Sequence, residues 1–204
     1  MMMTEDQQRY NRLFRDKFKR TMELGFHYFD EERWKEKKEE LISAFSAPRI
    51  VQNLKKAHVD SCWIWASALG VNFYNNPGDN LGHSHFSLNG RDLMMELSQE
   101  LRKAGISFLM YNHVNVNNDY TRHNPGGLAR TADGKPADGH ICFNCEDYRN
   151  LLAKKCVELV DRYNPDGLFF DMINYHFSET TCYCETCRSL FEQKFGFQIP
   201  EKLE

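Results

Sequence analysis

The stretch DGLFFDMINY, residues 166–175, combines an apolar run with one acidic residue near its end. Residues 167–170 are apolar throughout, which is typical of a parallel strand that is covered on both faces. Asp166 precedes the strand, where aspartate commonly forms a turn. Asp171 ends the apolar run, and a carboxylate there must reach solvent, a partner or a ligand to avoid a large cost of burial. The stretch therefore predicts a buried parallel strand, residues 167–172, that presents Asp171 at its carboxyl end.

The neighbouring sequence repeats this unit. Strands are predicted at residues 59–66 (VDSCWIWA) and 106–111 (ISFLMY), and helices at residues 48–57, 90–104 and 147–163 alternate with the strands. The loops after the strands are long, whereas the segments before them are short turns. This asymmetry is typical of a (β/α)8 barrel, whose functional residues follow the strands. An open doubly wound sheet is the structural alternative, but no strand is followed by a glycine-rich phosphate loop.

The number of units limits how much of a barrel the chain can form. A (β/α)8 barrel contains eight units in roughly 250 residues, and this chain shows about four. We therefore predict an α/β fold of the (β/α)8 type, in which residues 46–204 form the N-terminal half. Residues 1–45 are predicted to form a helical segment, with helices at 4–20 and 31–45 and a first strand at 24–29. Such a half-barrel exposes strand edges, so we expect a longer protein or a pairing with another chain, for example in a homo-oligomer.

The composition restricts the partners and the location of the protein. The formal net charge of -3 gives no reason to expect nucleic acid or a membrane surface as a partner. No apolar run is long enough for a membrane span, and the N-terminus lacks the apolar segment of a signal peptide. The odd number of cysteines, seven, argues against a secreted disulfide framework. These features predict a cytoplasmic protein that uses cysteines to bind a metal.

The spacing of the cysteines predicts a metal site. A C-x-C-x-x-C pattern, which can place three thiolates around a tetrahedral zinc ion, is formed by Cys182, Cys184 and Cys187. The fourth ligand must come from elsewhere; Cys142 is the first choice and Cys145 the alternative. Such a zinc site would be structural, and no catalytic cofactor is expected. The other interpretation is a set of free or disulfide-linked thiols. Cys62 and Cys156 lie at apolar periodic positions and are predicted to be core residues.

Four segments together resemble a known family. In chain order they are GRDLMMELSQELRKAGISFLMY (90–111), CFNCEDYR (142–149), YNPDGLFFDM (163–172) and CYCETCRSLF (182–191). This combination resembles the family called hypothetical glycosyl hydrolase 6, whose members are barrel proteins related to α-L-fucosidases. The resemblance implies a barrel that hydrolyses glycosidic bonds of a carbohydrate substrate.

The resemblance also implies roles for individual residues. In the α-L-fucosidase relatives, an aspartate at the end of the fourth strand is the nucleophile of a retaining mechanism, and it corresponds to Asp171. The acid/base carboxylate of those relatives lies further along the barrel, beyond Glu204. Where the relatives carry His-His-Asp-Gly, residues 65–70 read WASALG, which departs from the fucosidase pattern. The CFN segment at residues 142–144 and the later C-x-C-x-x-C are similar to some family 42 β-galactosidases, which implies a zinc site that includes Cys142.

Several polar and aromatic side chains are predicted to contact a sugar. Tyr111, His113 and Asn115 have a spacing of two, which places them on one side of an extended segment. Trp65 is expected to stack on a sugar ring. The other candidates lie in loops that follow the strands: His83, His85, Asn144, Tyr175 and His176. For all of these residues, packing within the protein is the alternative.

Two functions remain as alternatives. The first is retaining glycoside hydrolysis through Asp171, which requires a second carboxylate about 5–5.5 Å away. Within this chain Glu179 and Glu185 are the candidates for that carboxylate, although loop acids are usually solvated. The second function is that of a catalytically incomplete, carbohydrate-binding barrel fragment. A metal-dependent hydrolase is disfavoured, because a catalytic zinc site usually has three protein ligands and no nearby acid completes the pair His83 and His85.

Overall fold

The computed structural model describes residue 4 and residues 19–26, 31–34, 36, 42–76, 82–174 and 181–201. The strands are β1 (Thr21–Leu24), β2 (Ser61–Ala68), β3 (Val71–Asn72), β4 (His83–Ser84), β5 (Ser107–His113), β6 (Leu128–Arg130), β7 (Pro136–Ile141) and β8 (Gly167–Asp171). The helices are α1 (Glu31–Trp34), α2 (Ala47–Lys56), α3 (Leu93–Ala104), α4 (Asn118–His123), α5 (Glu146–Tyr163) and α6 (Glu185–Phe195). The helix predicted at 4–20 falls almost entirely outside the described residues.

Four parallel strands form the body of the main sheet. β1 pairs with β2, β2 with β5 and β5 with β8, each time in parallel. Helices α2, α3 and α5 make the three crossovers between these strands, as the βα pattern predicts. The short strands β3 and β4 extend the sheet beside the end of β2, and β3 runs antiparallel to β2. The α/β class is therefore confirmed, and among the described residues the sheet is open rather than closed into a barrel.

Helix α3 shows how the sequence sets these crossovers. The side chain of Asp92 accepts the backbone N–H of Met95, which caps the start of the helix. Gly105 ends the helix with φ 68°, a left-handed conformation that glycine adopts without strain. The face between these ends is fully buried and carries Leu93, Leu97 and Leu101.

The main hydrophobic core lies on one face of the sheet, which we call the outer face. Its strand residues alternate along β2 and β5, and α2 and α3 pack against them. Burial of each large apolar side chain contributes about 1.5–3 kcal/mol, so this face fixes the orientation of the strands. The strand residues of the core are Cys62, Ile64, Ala66, Phe108 and Met110. The residues between them point to the opposite, inner face.

Strand β8 differs from its prediction as a buried strand. Phe169 is 38% exposed and Phe170 is 36% exposed. The physical reason is that β8 pairs with β5 on one side, and no described strand pairs with it on the other. β8 has the apolar composition of an interior strand, but among the described residues it is an edge strand.

Other predicted boundaries also need correction. The first strand lies at Thr21–Leu24, ahead of the predicted start at residue 24, because its backbone pairs with β2 although its side chains are largely exposed. Residues 27–29 of the predicted strand lie outside the described residues. The long loop predicted after β5 contains helix α4 and the β6–β7 hairpin. Cys62 is fully buried as predicted, whereas Cys156 on α5 is only partly buried. Among the described residues, no helix has both the length and the apolar character needed to cross a membrane.

We predict that Leu97→Ala destabilises the fold strongly. Leu97 is fully buried between α3 and the sheet, and truncation of such a leucine costs about 2–5 kcal/mol in the free energy of unfolding. Urea denaturation followed by circular dichroism measures the change. Leu190→Ala on α6 is the matched control, because Leu190 is 46% exposed and should cost well under half as much. Equal losses for the two variants would contradict the assigned core.

Candidate functional site

The inner face of the sheet carries a row of aromatic side chains. Trp65, Tyr111 and Phe169 occupy paired positions on β2, β5 and β8. The rings of Trp65 and Tyr111 stack with centroids 4.7 Å apart, and the centroids of Tyr111 and Phe169 are 5.7 Å apart. The ring of Trp63 lies 5.3 Å from that of Tyr111 and 5.0 Å from that of Phe169. We call these four rings, Trp63, Trp65, Tyr111 and Phe169, the aromatic wall.

Asp171 lies at the carboxyl end of β8, two residues beyond the aromatic wall. The Tyr111 hydroxyl donates a hydrogen bond of 2.7 Å to Asp171 Oδ2, and the Met172 N–H donates one of 2.8 Å to Oδ1. Met172 has φ 63°, a left-handed conformation that costs a non-glycine residue about 1–2 kcal/mol. Such strain is concentrated at functional sites. The carboxylate of Asp171 is thus held by two donors, next to a strained residue.

Tyr111 is the donor in its contact with Asp171. Burial raises the pKa of the Tyr111 phenol well above its usual value, and the hydrogen bond and negative charge of Asp171 raise it further. The charge of Glu23 acts in the same direction. A raised pKa means that the phenol keeps its proton at neutral pH. The geometry is therefore that of a neutral phenol that donates to a carboxylate.

Glu23 on β1 is a candidate that the sequence analysis missed. It pairs with Trp63 across the β1–β2 ladder, and its Oε1 accepts the indole N–H of Trp65 at 2.7 Å. The segment TMEL alternates polar and apolar residues over only four positions, which is a weaker strand signal than the apolar run predicted at 24–29. Only the pairing of β1 with β2 brings Glu23 to the inner face.

Two further predicted residues lie near the end of β8. His113 pairs with Asp171 across the β5–β8 ladder and is partly buried. Asn115 is 1% exposed, and its side-chain amide donates to the carbonyl oxygen of Asn174 at 3.2 Å. With Tyr111, these residues gather around the same strand end, as their spacing predicts.

The two histidines after β2 lie in different surroundings. His83 Nδ1 is 2.5 Å from Asp119 Oδ2 in the first turn of α4. His85 is 2% exposed, stacks on Phe73 and contacts the hydroxyl of Ser87 through Nδ1 at 2.7 Å. Phe73 belongs to the core of the outer face. His85 is therefore corrected from a sugar contact to a core residue.

The remaining candidate residues lie away from the aromatic wall or outside the described residues. Asn144 donates from its amide to Cys187 Sγ at 3.2 Å, so it belongs to the cysteine cluster and not to the aromatic wall. Tyr175, His176 and Glu179 lie outside the described residues. Glu185 lies in the first turn of α6 and is exposed.

The predicted cysteines come together as one cluster. The four Sγ atoms of Cys142, Cys182, Cys184 and Cys187 all lie within 4.8 Å of one another. Cys142 Sγ is 3.4 Å from Cys187 Sγ and 3.6 Å from Cys184 Sγ. Four sulfurs bound tetrahedrally at about 2.3 Å from zinc would be about 3.8 Å apart, which is close to these separations. Cys145 lies outside this group and contacts the Tyr120 hydroxyl at 3.2 Å.

Hydrogen bonds to sulfur favour a thiolate at Cys182, one member of this cluster. The backbone N–H groups of Arg130 and Cys184 approach Cys182 Sγ at 3.4 and 3.5 Å. Hydrogen bonds from the neighbouring thiols of Cys142 and Cys187 are the largest cause of a lowered pKa at Cys182. All seven cysteines are free of disulfides. Four convergent sulfurs with N–H donors around them form a donor set that fits a closed, structural zinc site.

Comparison with known proteins supports the same scaffold. The model of the family described as hypothetical glycosyl hydrolase 6 matches residues 46–172. Among solved structures, α-L-fucosidase isoenzyme 2 from Paenibacillus thiaminolyticus is similar with a TM-score of 0.64 and 23% identity, over 86% of this chain and 26% of that one. The α-fucosidase of Thermotoga maritima has a TM-score of 0.52 and 16% identity, over 82% of this chain and 49% of that one.

A third similar structure is a hypothetical protein from Ruminiclostridium thermocellum, with a TM-score of 0.55 and 11% identity, over 82% of each chain. At these identities the likeness concerns the fold alone. The chain spans about a quarter of the length of the Paenibacillus enzyme and about half of that of Thermotoga. Among curated proteins, none matches this chain.

We predict that Tyr111→Phe costs about 1.5–3 kcal/mol in the free energy of unfolding, because the variant loses a hydrogen bond to a charged group. Urea denaturation at pH 7 measures this cost. The comparison variant is Tyr183→Phe, since the Tyr183 hydroxyl donates to the neutral carbonyl of Pro200. Tyr183→Phe should therefore lower the free energy of unfolding by only about 0.5–1.5 kcal/mol. A smaller cost at Tyr111 than at Tyr183 would contradict a charged acceptor at Asp171.

Proposed function

Because this chain belongs to the family described as hypothetical glycosyl hydrolase 6, we propose that it forms part of a retaining glycoside hydrolase with Asp171 as the nucleophile. The observation that carries this proposal is the carboxylate of Asp171 at the carboxyl end of a parallel strand, fixed by Tyr111 beside the aromatic wall. Active sites of β/α barrels lie at this end of the strands. A fixed carboxylate next to aromatic rings suits a sugar, whose C–H faces pack on rings.

In the proposed reaction, Asp171 attacks the anomeric carbon as the bond to the leaving-group oxygen breaks. A second carboxylic acid donates its proton to that oxygen, and the sugar becomes an ester of Asp171. Water, deprotonated by the second carboxylate, then cleaves the ester and restores Asp171. The hydroxyl of Tyr111 and the N–H of Met172 hold the orientation of the Asp171 carboxylate, which is how positioning lowers a barrier.

We propose that β1, β2, β5 and β8 are the first four strands of a (β/α)8 barrel. Their consecutive parallel pairing supports this proposal. The exposed side chains of Phe169, Phe170 and Ile173 also support it, because a fifth βα unit beside β8 would cover them. That unit would come from the same polypeptide or from a partner copy in a homo-oligomer, and the second carboxylate would come with it.

The alternative function is a carbohydrate-binding barrel fragment without turnover. The observation that favours it concerns Glu23, the other carboxylate that β1, β2, β5 and β8 place on the inner face. Glu23 binds the indole of Trp65, and the ring of Tyr111 lies between that indole and Asp171. Two stacked rings therefore separate Glu23 from Asp171, which is incompatible with the spacing of about 5–5.5 Å in a retaining pair.

We propose Trp65, Tyr111, His113 and Asn115 as the sugar contacts of the described residues, since they surround Asp171 or belong to the aromatic wall. We also propose a cytoplasmic location, because none of the described cysteines forms a disulfide, as in a reducing compartment.

We propose that the four clustered cysteines hold one structural zinc ion. The ion would neutralise the thiolates and join the segment after β7 to the start of α6. The hydrophobic contacts around the cluster are few, so metal binding would supply much of the stability of this region.

The test of the nucleophile is Asp171→Asn in the full-length protein, assayed on a panel of aryl glycosides. The anomeric configuration of the first product is read by NMR and should be retained. We expect Asp171→Asn to lower kcat/KM by at least about a thousandfold, because a covalent nucleophile is lost. The matched control is Asp166→Asn at the opposite end of β8, where Asp166 accepts the N–H of Phe108.

Full activity of Asp171→Asn on every cleaved glycoside would remove Asp171 from the mechanism. An inverted product would leave a hydrolase but exclude the covalent step. Saturable sugar binding by the wild type with no cleavage of any glycoside would support the binding fragment instead.

The zinc proposal predicts about one equivalent of zinc per chain in purified protein, measured by elemental analysis. Cys182→Ala should lose this zinc and unfold at a lower temperature, as should the wild type after chelation. Cys156→Ala is the matched control, because Cys156 lies outside the cluster, and it should keep its zinc. Purified wild type without metal and with four or more freely titrating thiols would contradict the proposal.

A further inference from the structure

Glu23 presents an open carboxylate oxygen to the inner face. Its Oε1 is bound to the indole N–H of Trp65, and among the described residues no group donates to Oε2. The side chain is exposed, and its position on β1 adjoins Trp63 across the ladder. One oxygen is therefore fixed by the aromatic wall while the other remains available to a ligand.

We propose that Glu23 is a specificity-determining carboxylate of the same site, and that it binds hydroxyl groups of an uncharged sugar ring and disfavours acidic sugars. This inference rests on the proposed function. The chemistry is a charge-assisted hydrogen bond, in which a sugar hydroxyl donates to Oε2. The neighbouring faces of Trp63 and Trp65 supply the apolar surface for the C–H side of the ring.

The charge of the inner face supports the choice of an uncharged sugar. The residues of β1, β2, β5 and β8 that point to this face include two carboxylates and no lysine or arginine. They are Thr21, Glu23, Ser61, Trp63, Trp65, Ser107, Leu109, Tyr111, His113, Gly167, Phe169 and Asp171. A uronate, sulfate or phosphate group placed between Glu23 and Asp171 would meet like charge, and these four strands place no lysine or arginine on the inner face to balance it. Like charges at an interface disfavour the wrong partner.

A purely structural role for Glu23 makes a different prediction. If Glu23 only anchored the indole of Trp65, a neutral acceptor would serve equally well, because the indole N–H is a neutral donor. Glu23→Gln keeps a side-chain oxygen for that N–H and removes the charge. Glu23→Asp keeps the charge and shortens its reach. The two variants therefore separate anchoring from ligand binding.

The experiment titrates the protein with matched neutral and acidic probes and follows tryptophan fluorescence, because Trp63 and Trp65 line the proposed site. The neutral probes are methyl α-L-fucoside, methyl β-D-galactoside and methyl β-D-glucoside, and the acidic probes are the methyl glycosides of galacturonate and glucuronate. The proteins are wild type, Glu23→Gln, Glu23→Asp and the control Glu192→Gln, an exposed glutamate on α6. Melting temperatures verify that each variant is folded.

We expect the wild type to bind at least one neutral probe, and to bind acidic probes at least about tenfold more weakly. Glu23→Gln should lose about tenfold in affinity for the neutral probe, the effect of one hydrogen bond to a charged group. Glu23→Gln should also reduce the ratio between the affinities for neutral and acidic probes. Glu23→Asp should bind the neutral probe more weakly but keep the preference for neutral over acidic probes. Glu192→Gln should bind all probes with the affinities of the wild type.

Unchanged binding by both Glu23 variants would overturn the role of Glu23 and leave the proposed function intact. Equal binding of neutral and acidic probes by the wild type would overturn the specificity. If the wild type binds none of the probes, the carbohydrate function itself fails, and this inference fails with it.

Discussion

The parallel register between β2, β5 and β8 is the constraint on which the rest of the site depends. It sets Trp65 opposite Tyr111 and Tyr111 opposite Phe169, so their rings meet on the inner face. Because side chains alternate between faces, a slip of one residue would send Tyr111 into the core and bring Met110 to its place. The hydrogen bond from Tyr111 to Asp171 exists only in this register.

The packing of the outer face holds the register in place. The core on β2 and β5 is filled by side chains that are almost fully buried, and a slip would expose all of them at once. The carboxylate of Asp92 adds a polar link, since it caps α3 and also accepts hydrogen bonds from Arg162 and Tyr163 on α5. The two crossover helices are therefore tied to each other as well as to the sheet. The outer face therefore supplies the packing that holds the polar and aromatic residues of the inner face in register.

The cysteine cluster is a second and separate centre of organisation. Its contacts form a small group of buried residues around the β6–β7 hairpin and α6, apart from the main core. The proposed zinc ion, bound by the four cysteines, would add a cross-link to this small group of apolar contacts. That cross-link would join the segment after β7 to the segment that follows β8. Both segments belong to the connections that follow β5 and β8, the two strands that pair His113 with Asp171 at their carboxyl ends.

The sequence by itself determined the α/β class, three of the four parallel strands, the end of α3 at Gly105 and, with Cys142 as the first choice for the fourth residue, the composition of the cysteine cluster. These features depend on local patterns: apolar runs, helical spacing, a glycine at the end of a helix, and C-x-C-x-x-C. Only the tertiary structure decided the exposure of β8, the separation of His83 from His85, and the place of Glu23. The physical reason is that these depend on strand neighbours distant in sequence. Pairing with β2 makes a strand of the largely exposed segment TMEL. The absence of a described neighbour makes the apolar segment GLFFD an edge strand.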